Sequence, residues 1–541
     1  MQQIWLSPAL LGVLNHIFFR YFEPGNAHYP LLAILIQPAL LLSFLSHGTP
    51  TVPTALNVLG VYATFIGSLS LSIVLYRLSP WHPLASVPGP TLYKISKVWS
   101  IRDAVRGDPH RVVRRMHDKY GPVVRTGPNE VSIVHTDAVK VVLGTYPKGQ
   151  HYEPRDDPAV PAKSLLVLKG EAHANRRRIW NRGLNSASIA AYEVTLVKRV
   201  AQLLERLEEQ SLSGSSVSIS KWLGYFTFDF MGDMAFGGGF EMMRDRGDTN
   251  GLWKIIEDGT RVSALLAPIP WIVPTVRMLP GLAKNMNTLS QFGVDSAANR
   301  IQAGSLVKDL WYHLTDEAEV EKQRPSIPEV VADGVLSIIA GSDTTSTALS
   351  NLIWLLLSNP AVYKQVREEV DSVYPRGDSP LDASKHSQLS FLTACINETL
   401  RLLPPVPSGG PRKVPVGGGK VIAGHYIAPN TQIFVPQYTL HRSAENFDDP
   451  DTFKPQRWLS PESAEKHNPL AFIPFSFGSA NCVGKNLAWR EMIMVSAALI
   501  HTFDIRFAKD FAGAEEWSNH LHDQFVTNIA MPLQVTLTKR D

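Results

Sequence analysis

The chain has 541 residues, of which 44% are apolar and 19% are charged, and its formal net charge is +3. So small a charge on so long a chain argues against a nucleic-acid-binding protein, because no concentrated basic face is available to neutralise phosphates. Two cysteines, Cys395 and Cys482, are too few for a disulfide framework. We therefore expect a reducing compartment and regard a lone thiol as a candidate for reactivity or metal ligation.

Residues 1–78 contain three apolar stretches, and the third, residues 55–78, is long enough to cross a bilayer as a helix. Arg20 follows the first stretch and Arg77 ends the third, whereas the loop before residue 55 has no Lys or Arg. Three transmembrane helices with both arginines on the cytosolic side satisfy the positive-inside rule. The alternative is one span over residues 55–78, preceded by interfacial helices. Both alternatives anchor the chain in a membrane and leave the body in the cytosol.

Residues 79–90, "SPWHPLASVPGP", are rich in proline and predict a stiff, extended linker between the anchor and a body over residues 91–541. Helical periodicity dominates the body, and strand-like patches with β-branched residues and turns are short. We predict helices over 189–209, 328–358, 360–374, 387–403 and 484–502. We predict strands within 123–135, 420–436 and 532–539. The predicted fold class is mostly α with minor β-sheets.

The stretch "FSFGSANCVG" at residues 475–484 places Cys482 in a short loop that contains two glycines. A helical run follows, so the thiol would lie at a helix N-terminus, where free amides favour negative charge on sulfur. Gly478 and Gly484 permit conformations and close approaches that other residues do not. Phe475 can pack beside the sulfur and limit water. The alternative is a buried cysteine with a structural role only.

This stretch resembles the haem-binding loop of the cytochrome P450 family. The resemblance implies the cytochrome P450 fold, haem b as the cofactor and Cys482 as the axial iron ligand, whose electron donation favours O–O cleavage. The chain departs from the family at Ala480, where an arginine that contacts a haem propionate is usual. This departure puts one charge-assisted hydrogen bond in doubt, worth about 1.5–3 kcal/mol of haem retention.

The stretch "IIAGSDTTSTALSNLIWLLL" is an apolar helix with polar groups in its middle. Buried polar side chains are costly unless they are paired or used. The stretch resembles the oxygen-side helix of the same family, which implies that Thr344 hydrogen-bonds oxygen and that Asp343 relays protons. Gly341 would leave room for a small ligand. The alternative is a helix whose threonine hydroxyls bond back to carbonyls one turn earlier.

The stretch "NETLRL" places Glu398 and Arg401 on one face of a helix, and Arg457 follows in "FKPQRW". Alone, a Glu-x-x-Arg pair is weak evidence. The resemblance implies that the three residues form a buried ion cluster that locks the segment leading to Cys482.

Two further segments resemble the parts of the family that hold haem propionates. In "GEAHANRRRIWNRGL", His173 and Arg177 lie four residues apart and so on one helical face. In "SGGPRKV", Arg412 has the position of a third propionate partner. A solvated basic surface is the alternative. With Ala480 uncharged, the resemblance implies that these three residues supply the positive field.

The resemblance implies a monooxygenase that inserts one oxygen atom of O2 into a lipophilic substrate, with natural-product biosynthesis as the expected setting. No nicotinamide or flavin fingerprint is visible, so we expect electrons from an NADPH-dependent diflavin reductase of the endoplasmic reticulum membrane, with cytochrome b5 as a further possible donor. Lys485 and Arg490 could help to dock an acidic partner, or could be solvated surface.

The substrate itself is not specified by the sequence. Residues 261–283 are apolar and proline-rich, which suits a membrane-facing entrance. Two other functions stay open. The first is an oxygen-independent haem-thiolate isomerase or dehydratase, and the second is a haem-binding membrane protein without enzymatic activity. Neither would need the pair Asp343 and Thr344.

Overall fold

A computed structural model of the chain describes residues 2–22, 28–46, 54–156, 161–212, 214–238, 240–276, 280–304, 307–460 and 466–540. The α-helices are α1 Gln2–Tyr21, α2 His28–Ser46, α3 Ala55–Leu78, α4 Thr91–Ile95, α5 Val98–Arg106, α6 Pro109–Tyr120, α7 Thr136–Ala138, α8 Gly170–Gly183, α9 Ser186–Ser211, α10 Ile219–Phe236, α11 Met242–Asp245, α12 Leu252–Leu266, α13 Val273–Val276, α14 Pro280–Ala303, α15 Leu310–Leu314, α16 Ile327–Ser358, α17 Pro360–Val373, α18 Ser390–Leu402, α19 Gln437–Leu440 and α20 Lys485–Thr502.

The strands are short and form small sheets. They are β1 Val123–Gly127, β2 Glu130–Ile133, β3 Val217–Ser218, β4 Arg412–Lys413, β5 Lys420–Ile422, β6 His425–Ile427, β7 Gln432–Phe434, β8 Phe503–Phe507, β9 Leu521–Gln524, β10 Val526–Ile529 and β11 Gln534–Lys539. The larger sheets have the strand orders β1-β2-β7-β4 and β3-β11-β8, and β5–β6 and β9–β10 are two-stranded. The predicted fold class, mostly α with minor sheets, is confirmed.

The five predicted helices correspond to α9, α16, α17, α18 and α20, and the three predicted strand regions contain β1–β2, β5–β7 and β11. The longest of these helices, α16, begins with a capping box. The side chains of Ser326 and Glu329 each accept a hydrogen bond from the backbone amide of the other residue. It packs against α10, α14, α18 and α20. Since α16 carries Asp343 and α20 follows Cys482, one apolar core positions both predicted halves of the site.

The N-terminal helices α1, α2 and α3 pack against one another. His16 Nδ1 lies 2.7 Å from Ser72 Oγ, and Asn15 Nδ2 donates to Gln37 Oε1 at 2.6 Å. Among the described helices, α2 and α3 are long and apolar enough to cross a membrane. These two helices support a membrane anchor, while the predicted number of one to three spans stays a prediction.

The segment between the anchor and the body differs from its prediction. Residues 79–87 form a series of turns rather than an extended link. His82, Leu84 and Val87 are buried, and the two apolar side chains join the core beneath the sheet that contains β1 and β2. The prolines stop α3, as expected, but the apolar residues between them have a surface to bury against.

Candidate active site

The loop that carries Cys482 is held closely against the rest of the body. The Cys482 amide donates to the Phe475 carbonyl at 2.8 Å. Gly478 has a φ of +79°, and a β-carbon there would lie 2.5 Å from the Leu143 carbonyl oxygen. Both the backbone conformation and the close approach therefore require glycine at residue 478, as predicted.

The other two predicted residues of this loop are less constrained by the protein. A β-carbon at Gly484 would lie 3.9 Å from the Cys482 sulfur, which is an ordinary contact, and the residue has a φ of −80°. The fold itself therefore does not require glycine at residue 484. The Phe475 ring packs near Trp489, with ring centroids 6.4 Å apart. Its predicted packing beside the sulfur stays a prediction.

The Cys482 side chain combines exposure with desolvation. Its side chain is exposed, yet surrounding protein desolvates the thiol and raises its pKa. A side chain on the wall of a recess has both properties. The Gly484 and Lys485 amides and the Arg177 guanidinium act in the opposite direction and lower this pKa. The predicted help from a helix N-terminus is thus present, but burial outweighs it, and a cation at the sulfur would be needed to hold the thiolate.

The second cysteine has different surroundings. Cys395 lies on α18 and is fully buried, and desolvation raises the pKa of its thiol well above the ordinary value. No group of three or more His, Cys, Asp or Glu side chains that could hold a metal ion occurs among the described residues. Among these described residues, Cys482 is therefore a single candidate ligand and not a member of a metal-binding cluster.

Arg177 links the cysteine loop to α8. Its guanidinium donates to the Asn481 carbonyl at 2.6 Å and to Asn481 Oδ1 at 2.6 Å, and its Nε donates to Asn181 Oδ1 at 2.9 Å. His173, which was predicted to share a helical face with Arg177, lies one turn earlier on α8 and is buried. Arg177 is therefore in contact with the residue next to the thiol.

A cluster of cations surrounds His173. Burial, together with the charges of Lys148, Arg177 and Arg412, lowers the pKa of His173 to about 4. With these neighbours the imidazole is neutral at pH 7, and the predicted contribution of His173 to the positive field stays a prediction. Lys148, which sequence reasoning missed, is a further member of this cluster. Its signal in the sequence, "YPKG", is a single lysine without a pattern.

Asp343 and Thr344 lie side by side on α16, as the motif requires. Desolvation, and secondly the charge of Glu257 on α12, raises the pKa of Asp343 to about 7. The Thr344 hydroxyl donates to the Ala340 carbonyl at 2.7 Å, which is the back-bonded geometry of the structural alternative. Glu257 was not singled out from the sequence, because it lies far from Asp343 along the chain.

The space at Gly341 has a different use from the predicted one. A β-carbon there would lie 2.7 Å from the Met231 sulfur on α10. The missing side chain therefore allows α10 and α16 to approach each other, and it makes room for Met231 rather than for a ligand.

Glu398, Arg401 and Arg457 form a buried ion cluster. Both oxygens of Glu398 accept from Arg401 at 2.8 Å, and Arg457 Nε donates to Glu398 at 3.1 Å. All three side chains of these residues are fully buried. The Lys454 amide and the Trp458 indole also donate to Glu398, each at 2.9 Å. The cluster joins α18 to the segment before the cysteine loop, which is the geometry that a structural lock needs.

These residues fit the cofactor that the resemblance implies. Haem b combines an iron that takes an axial ligand with two carboxylates at one edge of the ring. The structure supplies an accessible thiol, Arg177 binds the residue before that thiol, and the charges of Arg177 and Arg412 both act on the buried Lys148. The donor set therefore suits a dianionic ring with one thiolate ligand.

Comparisons with known proteins agree with this geometry. Residues 87–526 match the family model for cytochrome P450. Tryprostatin B 6-hydroxylase of Aspergillus fumigatus is 31% identical over 551 residues, which cover 99% of this chain and 96% of the relative. Cytochrome P450 monooxygenase notG' of Aspergillus versicolor is 32% identical, with 100% and 98% covered. Averantin hydroxylase of Dothistroma septosporum is 32% identical, with 85% and 88% covered. This chain therefore belongs to the cytochrome P450 family.

Proposed function

We propose that this monooxygenase uses Cys482 as the thiolate ligand of haem b and inserts one oxygen atom of O2 into a lipophilic substrate of natural-product biosynthesis. Family membership makes the chain a cytochrome P450 monooxygenase that binds haem. The hydroxylase names of the relatives favour a hydroxylation. The observation that carries the choice of Cys482 is its accessible thiol, on which the charge of Arg177 acts, whereas Cys395 is enclosed in the core.

When bound, haem supplies the oxygen chemistry, and the chain's own residues orient groups and move protons. Asp343 suits proton movement because its pKa of about 7, raised by burial, leaves both protonation states populated at neutral pH. The Thr344 hydroxyl donates its proton to the Ala340 carbonyl, so the hydroxyl oxygen can accept a hydrogen bond from a neighbouring donor. Donation by Thr344 would require its hydroxyl to turn away from Ala340.

The substrate is proposed to enter from the membrane side. Residues 261–276 and 280–283 are the described parts of the predicted entrance. Thr275 Oγ1 lies 3.2 Å from His28 Nδ1 at the start of α2, which supports a position of this segment beside the anchor. Trp271, on the same segment, is exposed, as expected for a residue at a membrane interface.

The redox partner is proposed to be the NADPH-dependent diflavin reductase of the endoplasmic reticulum, the membrane in which we place the enzyme, with cytochrome b5 as an alternative donor. Lys485 is exposed at the start of α20 and can meet an acidic surface. Arg490 is less available, because it lies 3.4 Å from Glu193 in an ion pair. Lys485 is therefore the stronger docking candidate of the two.

A spectrum tests the ligand assignment. We expect the reduced, carbon-monoxide-bound protein to show the strongly red-shifted Soret band of thiolate ligation. Cys482→Ala should abolish this band, and Cys395→Ala is the matched control that should retain it. A red-shifted band that survives Cys482→Ala would refute the assignment.

A second measurement tests oxygen activation. Product formation from a lipophilic substrate should depend on the reductase and should fall in Thr344→Ala, with NADPH consumption diverted from product. The neighbouring Thr345→Val is the control, since Thr345 is the adjacent threonine on α16 and is buried. Product formation that needs neither the reductase nor Thr344 would favour an isomerase or dehydratase.

A further inference from the structure

Arg155 carries a positive charge that the described part of the chain leaves without a carboxylate partner. It ends the short 3₁₀ turn Gln150–Arg155, and its Nη1 donates to the His151 carbonyl at 2.6 Å. Its Nη2 is buried and has no hydrogen-bond partner among the described residues. A buried charged donor without an acceptor is costly, so this nitrogen calls for an acceptor from outside the chain.

Asp523 on β9 is the acidic group that acts on Arg155, but the Asp523 oxygens have other donors. Oδ2 accepts from the Ser408 hydroxyl, and Oδ1 accepts from the Phe525 amide at 3.0 Å. The basic group beside Asp523 is His110, at 3.7 Å, and no ion pair joins Asp523 to Arg155 within the described residues. Asp523 therefore does not satisfy the free Nη2.

The charge of Arg155 is present and uncompensated at neutral pH. Burial lowers the pKa of Arg155 to about 10, so the guanidinium stays protonated at pH 7. Glu153 and Asp156 flank Arg155 in the sequence, but they pair with lysines. Glu153 lies 3.9 Å from Lys169, and Asp156 lies 3.3 Å from Lys163. A desolvated cation of this kind attracts a carboxylate more strongly than a solvated one does.

The Phe525 ring covers the guanidinium. Arg155 Cζ lies 4.0 Å from the ring centroid, in a cation–π contact. Phe525 forms the turn between β9 and β10 with a φ of +79°, a conformation that residues with a side chain rarely adopt. Strained residues of this kind cluster at ligand clamps. Arg155 as a whole is half-buried, so an incoming group reaches Nη2 when the Phe525 ring turns aside.

Arg155 lies between the proposed substrate entrance and the helix that carries Thr344. The turn that ends at Arg155 packs against α12 and against the entrance segment. The hairpin of β9 and β10, which carries Phe525, packs against α16. There the Thr347 hydroxyl, three residues after Thr344, donates to the Thr527 carbonyl at 3.3 Å. A substrate that passes from the entrance towards Thr344 would therefore meet Arg155.

We propose that Arg155 is a substrate-binding residue, which selects lipophilic substrates that carry a carboxylate. The carboxylate accepts from Nη2 and replaces the Phe525 ring on the guanidinium. A planar guanidinium matches a carboxylate in shape as well as in charge. The rings of His151 and Phe525, with centroids 6.0 Å apart, offer apolar contacts to the rest of the substrate. The inference rests on the proposed function, because it gives the class of substrate for the same site.

Changes in the Soret band of the full-length holoprotein on substrate binding test the proposal. The probes are a library of lipophilic carboxylic acids, such as dodecanoic, pyrenebutyric and dehydroabietic acid, each with its methyl ester. We expect at least one acid to bind tenfold or more tightly than its ester, since a hydrogen bond to a charged group contributes about 10- to 100-fold. A library in which every acid is preferred less than tenfold would overturn the proposal.

Two variants separate the guanidinium from the packing around it. Arg155→Met should reduce the acid preference to less than about threefold and leave the affinity for the ester unchanged. Phe525→Leu keeps the guanidinium and removes its cover, so the acid preference should be kept or increased. Arg178→Met is the control, since Arg178 is exposed and pairs with Glu321, and it should change nothing. A preference that survives Arg155→Met, or that Phe525→Leu abolishes equally, would overturn the proposal.

The carbon monoxide spectrum keeps this test apart from the proposed function. A missing red-shifted band in the wild type would mean that Cys482 is not the ligand, and the proposed function would fail. An intact band without an acid preference would refute the role of Arg155 alone. The comparison of acids with esters in the wild type does not depend on how well the variants fold.

Discussion

The residue whose environment bears most directly on the proposed proton movement is Asp343. Its carboxyl has no hydrogen-bond donor among the described contacts, and burial rather than a specific partner raises its pKa to about 7. The second cause is the negative charge of Glu257, which is itself oriented by the Asn528 amide. A carboxyl poised in this way responds to small changes in nearby charge.

We predict that Glu257→Gln shifts the pH profile of product formation to lower pH. Removing a neighbouring negative charge lowers the pKa of Asp343, so its proton is lost at a lower pH as the pH rises. The alkaline limb of the profile should therefore shift to lower pH, by on the order of a few tenths of a pH unit or more. The haem spectrum should stay unchanged.

The next residue along α12 provides the control for this shift. Asp258 pairs with Lys254 at 2.9 Å and does not act on Asp343. Asp258→Asn should leave the profile in place. An equal shift in both variants would mean that long-range charge sets the profile, and not the repulsion between Glu257 and Asp343.

At the scale of elements, the ion cluster of Glu398 connects α18 with the segment that precedes the cysteine loop. Besides Glu398, Arg401 bonds to the His441 carbonyl at 2.8 Å and to the Pro450 carbonyl at 2.6 Å. Arg401 therefore also fixes the chain between β7 and Arg457. A buried pair of this kind is costly to break, because removal of one partner leaves an uncompensated charge.

We predict that Arg457→Met lowers the free energy of unfolding by about 3–5 kcal/mol, since Glu398 and Asp448 would each lose a partner. Chemical denaturation of the holoprotein measures this change. Lys254→Met, which breaks an exposed pair within α12, is the control and should cost less than about 0.5 kcal/mol. A small cost for Arg457→Met would show that the cluster does not lock this segment.

A second element-scale prediction concerns Glu491 on α20. The residue is 1% exposed, its Oε2 has no partner among the described residues, and burial raises the pKa of its carboxyl to about 8. Because the unfolded chain loses this proton at a lower pH than the folded protein, the free energy of unfolding should fall as the pH rises from about 5 to 8.

Glu491→Gln should flatten that decline and stabilise the protein at pH 8 by on the order of a few kcal/mol, since a tenfold change in proton affinity is worth about 1.4 kcal/mol. Denaturation midpoints at pH 5.5 and pH 8 measure the effect. Glu193→Gln, at a partly exposed ion pair with Arg490, should leave the slope unchanged. A parallel decline in wild type and Glu491→Gln would exclude this carboxyl as its source.

The helices and the main motifs could be predicted because their signals are local. Periodicity placed α16 and α20 to within a residue, and the spacing of Glu398 and Arg401 gave one shared face. Lys148 and Glu257 could not be predicted, because the charged groups that each one meets lie far away along the chain. The charge state of His173 also depends on three cations that only the fold brings together.

At the scale of the whole molecule, the junction between anchor and body is a packed interface. Arg125 on β1 is 1% exposed, and its guanidinium donates to the Arg77 carbonyl at 3.1 Å and to the Pro128 carbonyl at 3.0 Å. It thus joins the end of α3 to the first sheet. The composition of residues 79–90 indicates a linker, but it does not reveal that Leu84 and Val87 have a core to enter.

A packed junction predicts that the body cannot be released from vesicles by brief digestion with proteinase K. Cleavage of buried backbone requires local opening, and Leu84 and Val87 are almost fully buried. A variant with a Gly-Ser insert of about ten residues after Ser79 should release the body readily, because such a sequence is a flexible coil. Arg125→Met should fall between the two, since it loses the bonds to Arg77 and Pro128 but keeps the apolar contacts. If wild type released an intact body as fast as the insertion variant, the anchor would be flexibly tethered. The proposed orientation of the substrate entrance towards the membrane would then lose the support of a packed junction.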